Sequence, residues 1–181
     1  MNLKLELLPY NHPTLKEPTL PYDFNNPPIP PDQLFMTLAE FMVENKGMGL
    51  AANQVGIPYD VFVFGDPTNE NSIIPVFNPN ILSRTGDEYY SEEGCLTFPG
   101  LYVKIKRYNV IRTRYTTHEN ITDTIKLSGI SSRIFQHEYD HLHGILYTKR
   151  AHKYHLDKAR KDLKKVIRMR KRNEKNSETL L

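Results

Sequence analysis

The sequence predicts one α+β domain, with antiparallel strands around a central helix and flanking helices at the N-terminal and C-terminal ends. Three observations predict it. Short β-rich runs that alternate apolar and polar residues, such as VIRTRYT and TDTIKL, fill the middle of the chain, as half-buried antiparallel strands require. Three other segments repeat apolar residues at three- and four-residue spacing, the period of a helix face. A chain of 181 residues lies in the single-domain range and buries enough apolar surface to fold without disulfides.

Eight of the thirteen prolines lie between Pro9 and Pro31. Their fixed φ and missing N–H exclude regular helix and central strand, so this stretch reads as an extended surface arm. Pro31 and Asp32 open a first helix whose Leu34, Phe35, Leu38, Phe41 and Met42 share a face, and Gly47 is expected to close it. Strands are expected at 60–65, 73–77, 101–106, 109–116 and 121–127. Ser131 or Ser132 is expected to cap a second helix with Ile134, His137, Glu138, His141 and Ile145 on one side. A third helix is expected at 154–172, with Leu156, Ala159, Leu163, Val166 and Ile167 beneath a basic outer face. The polar end, NEKNSETLL, is expected to fray.

The net charge of +3 is unevenly spread. Residues 1–150 hold 13 basic and 17 acidic side chains, whereas 151–181 hold 11 and 4, so the positive excess belongs to the last helix. The single cysteine excludes an internal disulfide and leaves Cys95 as a buried apolar filler or a thiol with a chemical task. No apolar run approaches the ~20 residues that span a bilayer, and no basic region followed by an apolar core opens the chain. A cytoplasmic compartment with no membrane partner is the expectation.

His137-Glu138-Tyr139-Asp140-His141 is an H-E-x-x-H pattern on the second helix. Residues four apart stack on one face, so both imidazoles reach one metal while Glu138 projects beside it as a general base. Two packed or solvated histidines are the plainer alternative, and the third ligand decides the chemistry. A downstream glutamate is represented only by Glu174 and Glu178 in the basic tail. A histidine six residues past His141 would complete a metzincin site; Gly144 fits that pattern, but Tyr147 stands at the histidine position. Upstream, Cys95 in a Gly-flanked, strand-like segment completes a Cys-His-His set with an open fourth position.

Three segments then resemble the peptide deformylase family: Gly47-Met48-Gly49-Leu50-Ala51-Ala52-Asn53-Gln54, Glu93-Gly94-Cys95-Leu96 and Gln136-His137-Glu138-Tyr139-Asp140-His141-Leu142. They stand in that family's order, and Thr97 replaces its usual serine. The resemblance implies removal of the formyl group from N-formylmethionine at the start of nascent polypeptides. A divalent metal on Cys95, His137 and His141 would acidify its bound water from a pKa of roughly 15.7 toward ~7 and so supply hydroxide as nucleophile. Glu138 would take the proton and return it to the leaving amine. By the resemblance, the Gln54 amide and the Leu96 N–H stabilise the oxyanion. It also implies iron(II) as the native ion, with zinc, nickel or cobalt as replacements.

Gly47, Gly49 and Gly94 would let a peptide substrate pair with these segments as an added strand. Ile130 and Ile134 would line a pocket for the methionine side chain; core packing is their plainer reading. Asp140 and Arg107 are expected behind the ligands, because metal-bound histidines donate their other nitrogen to a carboxylate and a buried carboxylate needs a cation. His143 points off the ligand face. Thr97 is expected to matter through its backbone more than its hydroxyl. Residues 1–150 thus form the catalytic part with its proline-rich arm, and 151–181 a basic helix and tail of the same domain. Bacterial family members can dock such a helix on the ribosome, and a solvated lysine-rich face is the bland alternative. A noncatalytic metal-stabilised peptide-binding module and a zinc peptidase are the competing functions.

Overall fold

The computed structural model describes residues 4–178, apart from the side chains of Glu70 and of residues 173–178. Strands β1 (Gly49–Ala51), β2 (Val61–Phe64), β3 (Ile74–Cys95), β4 (Phe98–Thr116) and β5 (Thr122–Ser128) form one antiparallel sheet in chain order. Helices α1 (Pro31–Glu44), α2 (Gly129–Leu142), the single turn α3 (Tyr147–Arg150) and α4 (Lys153–Glu178) complete the expected α+β architecture.

Strand β2 shows how the core is divided. Its side chains alternate between faces, and all four are buried. Val61 and Val63 pack with Leu34, Leu38 and Met42 of α1, while Phe62 and Phe64 pack with Phe135 and Leu142 of α2. The sheet is therefore covered on both sides here, where alternation alone suggested one buried face. Helix α2 packs on the second of these faces, with the Phe135 ring edge-on to Phe62 at 4.9 Å.

Several expected boundaries move. The two strands at 101–106 and 109–116 are one strand, and β3 runs on to Cys95 through a polar stretch. Four register shifts between β3 and β4 bend this long hairpin. Its far half packs Leu101, Val103 and Ile105 under Tyr147 and under Leu156, Ala159 and Leu163 of α4. Val166 and Ile167, expected in that face, are each 45 % exposed, because the sheet beneath α4 ends near Leu163. Helix α4 continues past 172 to Glu178 instead of fraying there; residues 179–181 of the expected frayed end lie outside the described residues.

The helix ends also differ from expectation. Lys46, at φ 56°, takes the left-handed position after α1. The Lys46 and Gly47 N–H groups donate to the Val43 and Met42 carbonyls, which closes α1 one residue before Gly47. Helix α2 is preceded by Ser128 rather than capped by Ser131 or Ser132. Ser132 is buried one turn in, where its hydroxyl donates to the Tyr108 carbonyl oxygen at 3.1 Å. The proline-rich arm is no mere surface layer, since Leu15 and Tyr22 are buried and residues Pro13–Lys16 form a 3₁₀ turn.

Candidate metal centre

Cys95 ends β3, and His137 and His141 stand one turn apart on α2. The donor atoms of the three residues all lie within 4.8 Å of one another. Cys95 Sγ is 3.3 Å from His141 Nε2, and the two imidazole centroids are 5.0 Å apart. This spacing suits three donors that each sit about 2.0–2.3 Å from a shared ion. Burial pushes the Cys95 thiol up, but the His141 and His137 imidazoles outweigh it and hold the thiol well below its usual range. A thiolate is the form that ligates a metal. Burial also opposes charge on His137, yet Cys95 and Glu93 raise its pKa to about 10. The cluster thus calls for positive charge between these groups, which is what a divalent cation brings.

Glu93 backs the site from behind. Its Oε2 accepts from His137 Nδ1 at 3.0 Å, which leaves Nε2 for the metal. Arg107 grips both Glu93 oxygens at 2.6 and 3.0 Å, and Arg133 Nη1 adds a third bond at 2.7 Å. Burial raises the Glu93 carboxyl, but His137 and Arg107 bring its pKa down to about 2. Arg107 Nη1 also donates to Asp140 at 2.8 Å, and Arg150 donates to Asp140 at 2.6 and 3.1 Å. Arg107 and Asp140 are both buried beside the cluster, with one difference from expectation: the carboxylate on the histidine is Glu93, and Asp140 holds the two arginines.

Glu138 is 4 % exposed and its Oε2 has no hydrogen-bond partner among the described residues. Burial raises its pKa, against the pull of His137 and His141. Gly49 makes room for it, since a Cβ there would lie 2.4 Å from Glu138 Oε1. The glycines were expected to admit substrate backbone. A Cβ at these positions would first meet side chains of the chain itself: Leu96 at Gly47, Glu138 at Gly49 and the Tyr102 ring at Gly94.

Gln54 is buried on the 3₁₀ turn after β1. Its Oε1 accepts from the Ala51 N–H at 2.9 Å, and its Nε2 donates to Thr97 Oγ1 at 3.0 Å while lying 3.4 Å from Cys95 Sγ. The Thr97 hydroxyl, set aside at first, therefore orients this amide. Leu96 sits in the two-residue turn between β3 and β4. Gly47, Gly49, Gln54, Gly94, Leu96, Ile130, Ile134, His137 and Glu138 all line one cavity of about 550 Å³. Cys95 lines it as well, and Ile130 is 55 % exposed. His143 is exposed and bonds the Tyr139 carbonyl oxygen, away from the ligands. Tyr147, which stood at the metzincin histidine position, donates to the Leu101 carbonyl oxygen at 2.7 Å and packs its ring beside His137.

The family model for polypeptide deformylase matches residues 4–157. The chain belongs to the peptide deformylase family. Among its relatives, peptide deformylase 1 of Bacillus anthracis is 38 % identical over 125 residues, which are 68 % of this chain and 78 % of that one. The peptide deformylase of Aquifex aeolicus is 31 % identical over 92 % of this chain and 98 % of its own. The Acinetobacter baumannii peptide deformylase, solved with Met-Ala-Ser bound, superposes with a TM-score of 0.75 at 28 % identity, covering 83 % of this chain and 99 % of that one. This deformylase is accordingly a metal-dependent hydrolase that removes N-terminal formyl groups, and its Cys95, His137 and His141 cluster fits the metal.

Sequence reasoning about the deformylase assigned no role to Glu93 beyond its place in the segment that holds Cys95, and none to Arg133 or Arg150. For the first two a signal existed. Glu93 lies two residues before Cys95 in a strand, hence on the same face, and Arg133 lies one helical turn before His137.

Proposed function

We propose that this deformylase acts on N-formylmethionine at the start of nascent polypeptides, with Cys95, His137 and His141 as ligands of one divalent ion. The proposed resident ion is iron(II), for which zinc, nickel or cobalt can stand in at a thiolate and two imidazoles. When bound there, the ion supplies a Lewis acid that brings a water's pKa close to neutrality, toward ~7. Glu138 takes the proton of the attacking water, whose oxygen then bonds to the formyl carbon. Gln54 Nε2 and the Leu96 backbone N–H donate to the oxyanion that forms. Gln54 can turn one hydrogen to this task by giving up its long contact to Cys95 Sγ, at 3.4 Å, while Thr97 keeps the other. Glu138 passes the proton to the departing nitrogen, the C–N bond breaks, and formate leaves beside a free amine.

The observation that carries this reading is the buried Glu138 carboxylate, aimed into the cavity with one oxygen unbonded among the described residues. A peptide-binding module would have no use for it. Ile130 and Ile134 receive the methionine side chain, and the peptide lies along the free edge of β1, past Gly47, Gly49 and Gly94. The bound Met-Ala-Ser of the Acinetobacter relative has the form of the expected product. We further infer that the enzyme works in the cytoplasm beside the ribosome. Beyond Leu163, α4 exposes Lys164, Lys165, Arg168, Arg170, Lys171 and Arg172, a face suited to phosphate contacts.

The test is product analysis on formyl-Met-Ala-Ser with metal-loaded protein. Equimolar formate and Met-Ala-Ser are expected. Cleavage between Met and Ala would replace this reading with a zinc peptidase, and binding without turnover with a peptide-holding module.

A further inference from the structure

Asn53 is fully buried between the 3₁₀ turn after β1 and the end of α2, and the mechanism above assigns it nothing. Its Nδ2 donates to the His141 carbonyl oxygen at 2.6 Å. A carbonyl only accepts, so this bond sets the orientation of the amide and leaves Oδ1 as a second, separate acceptor. Neither Asn53 Oδ1 nor the buried His141 Nδ1 has a hydrogen-bond partner among the described residues. His141 turns its Nε2 toward Cys95, so as a neutral ligand it carries its proton on Nδ1. One orphaned donor and one orphaned acceptor therefore stand on two residues already in contact. Buried polar atoms of this kind are paired in roughly 90 % of cases, and one enclosed water can bridge such a pair.

We propose that Asn53 is a positioning residue for His141, its Oδ1 accepting the Nδ1–H through one buried water. It is the counterpart of Glu93 behind His137, with a neutral amide in place of a carboxylate. The next residue is Gln54, so a single turn of chain sets both a ligand ring and the oxyanion amide. This inference rests on the reading of His141 as a metal ligand.

The probe is Zn²⁺, observed through the histidine-ring ¹H–¹⁵N spectrum of the loaded full-length protein. His137 and His141 should both be bound through Nε2, each with a slowly exchanging Nδ1–H. In Asn53→Ala the His141 Nδ1–H signal should shift or exchange away while that of His137 stays, and Zn²⁺ affinity should fall about 10–100-fold in chelator competition. Asn53→Asp keeps an acceptor but loses the donor to the carbonyl, so it should retain the His141 signal that Asn53→Ala loses. If the carbonyl bond alone matters, the two variants will behave alike and the proposal fails. A parent His141 Nδ1–H that exchanges as fast as an exposed imidazole overturns it without any variant. Two rings that both stay free of Zn²⁺ would overturn the metal reading, and this inference with it.

Discussion

Glu138→Gln removes a proton acceptor and almost nothing else. Glutamine has the same length and shape, and the tight place beside Gly49, where a Cβ would come within 2.4 Å of Oε1, holds either side chain in one pose. The proposed ligands Cys95, His137 and His141 are untouched, so bound metal should match the parent. Burial of the charged form already counts against the fold, as the raised pKa of Glu138 indicates. A group whose folded pKa is raised destabilises above its unfolded value, so the glutamine variant should melt at or above the parent temperature at neutral pH. That gain should vanish below pH 4.5, where the unfolded chain is protonated too. Turnover should move the other way, by the ~10²–10⁴-fold typical of losing a general acid–base group, or about 3–5 kcal/mol of barrier. Formate release from formyl-Met-Ala-Ser, elemental analysis and a melting curve on the same sample read all three quantities. Near-parental turnover with full metal would refute the role of Glu138; lost turnover with lost metal would make it a holder of the site instead.

Cys95→Ala should lower bound metal in elemental analysis, and equal content in variant and parent would discard the three-ligand site. Glu93→Gln should cost the metal-free protein on the order of 3 kcal/mol at neutral pH, given a folded pKa of about 2 against an ordinary 4.5. Because that pKa is depressed, the parent's advantage is complete above pH 4.5 and disappears as pH falls through 2, which acid unfolding curves of both proteins would show. Removing residues 165–181 should leave deformylation intact and abolish salt-sensitive ribosome binding, as cosedimentation would report. Removing 151–181 should also destabilise the fold, because Leu156, Ala159 and Leu163 cover Leu101, Val103 and Ile105. Unaltered ribosome binding in the shorter deletion would end the docking idea.

The parts of this protein legible in its sequence are those that depend on local spacing. Two histidines four apart on a helix share a face whatever surrounds them, and one cysteine beside a glycine left little choice for a third ligand. Helix faces, the alternation of β4 and β5, and the basic end of the chain follow from the same short-range periodicities.

What only the tertiary structure decided depends on pairs distant in sequence. Residues 78–95 carry no apolar alternation, and they are a strand because β4 satisfies their backbone groups, with register shifts that no local rule places. Arg107 could be guessed near the site, but that it clamps Glu93, while Asp140 serves Arg107 and Arg150, depends on how β4 crosses α2. Asn53 reaches His141 across 88 positions of chain. The physical reason is the same in each case: a buried charge or amide must find its partner wherever the packed fold brings one, and chain distance carries no information about that meeting.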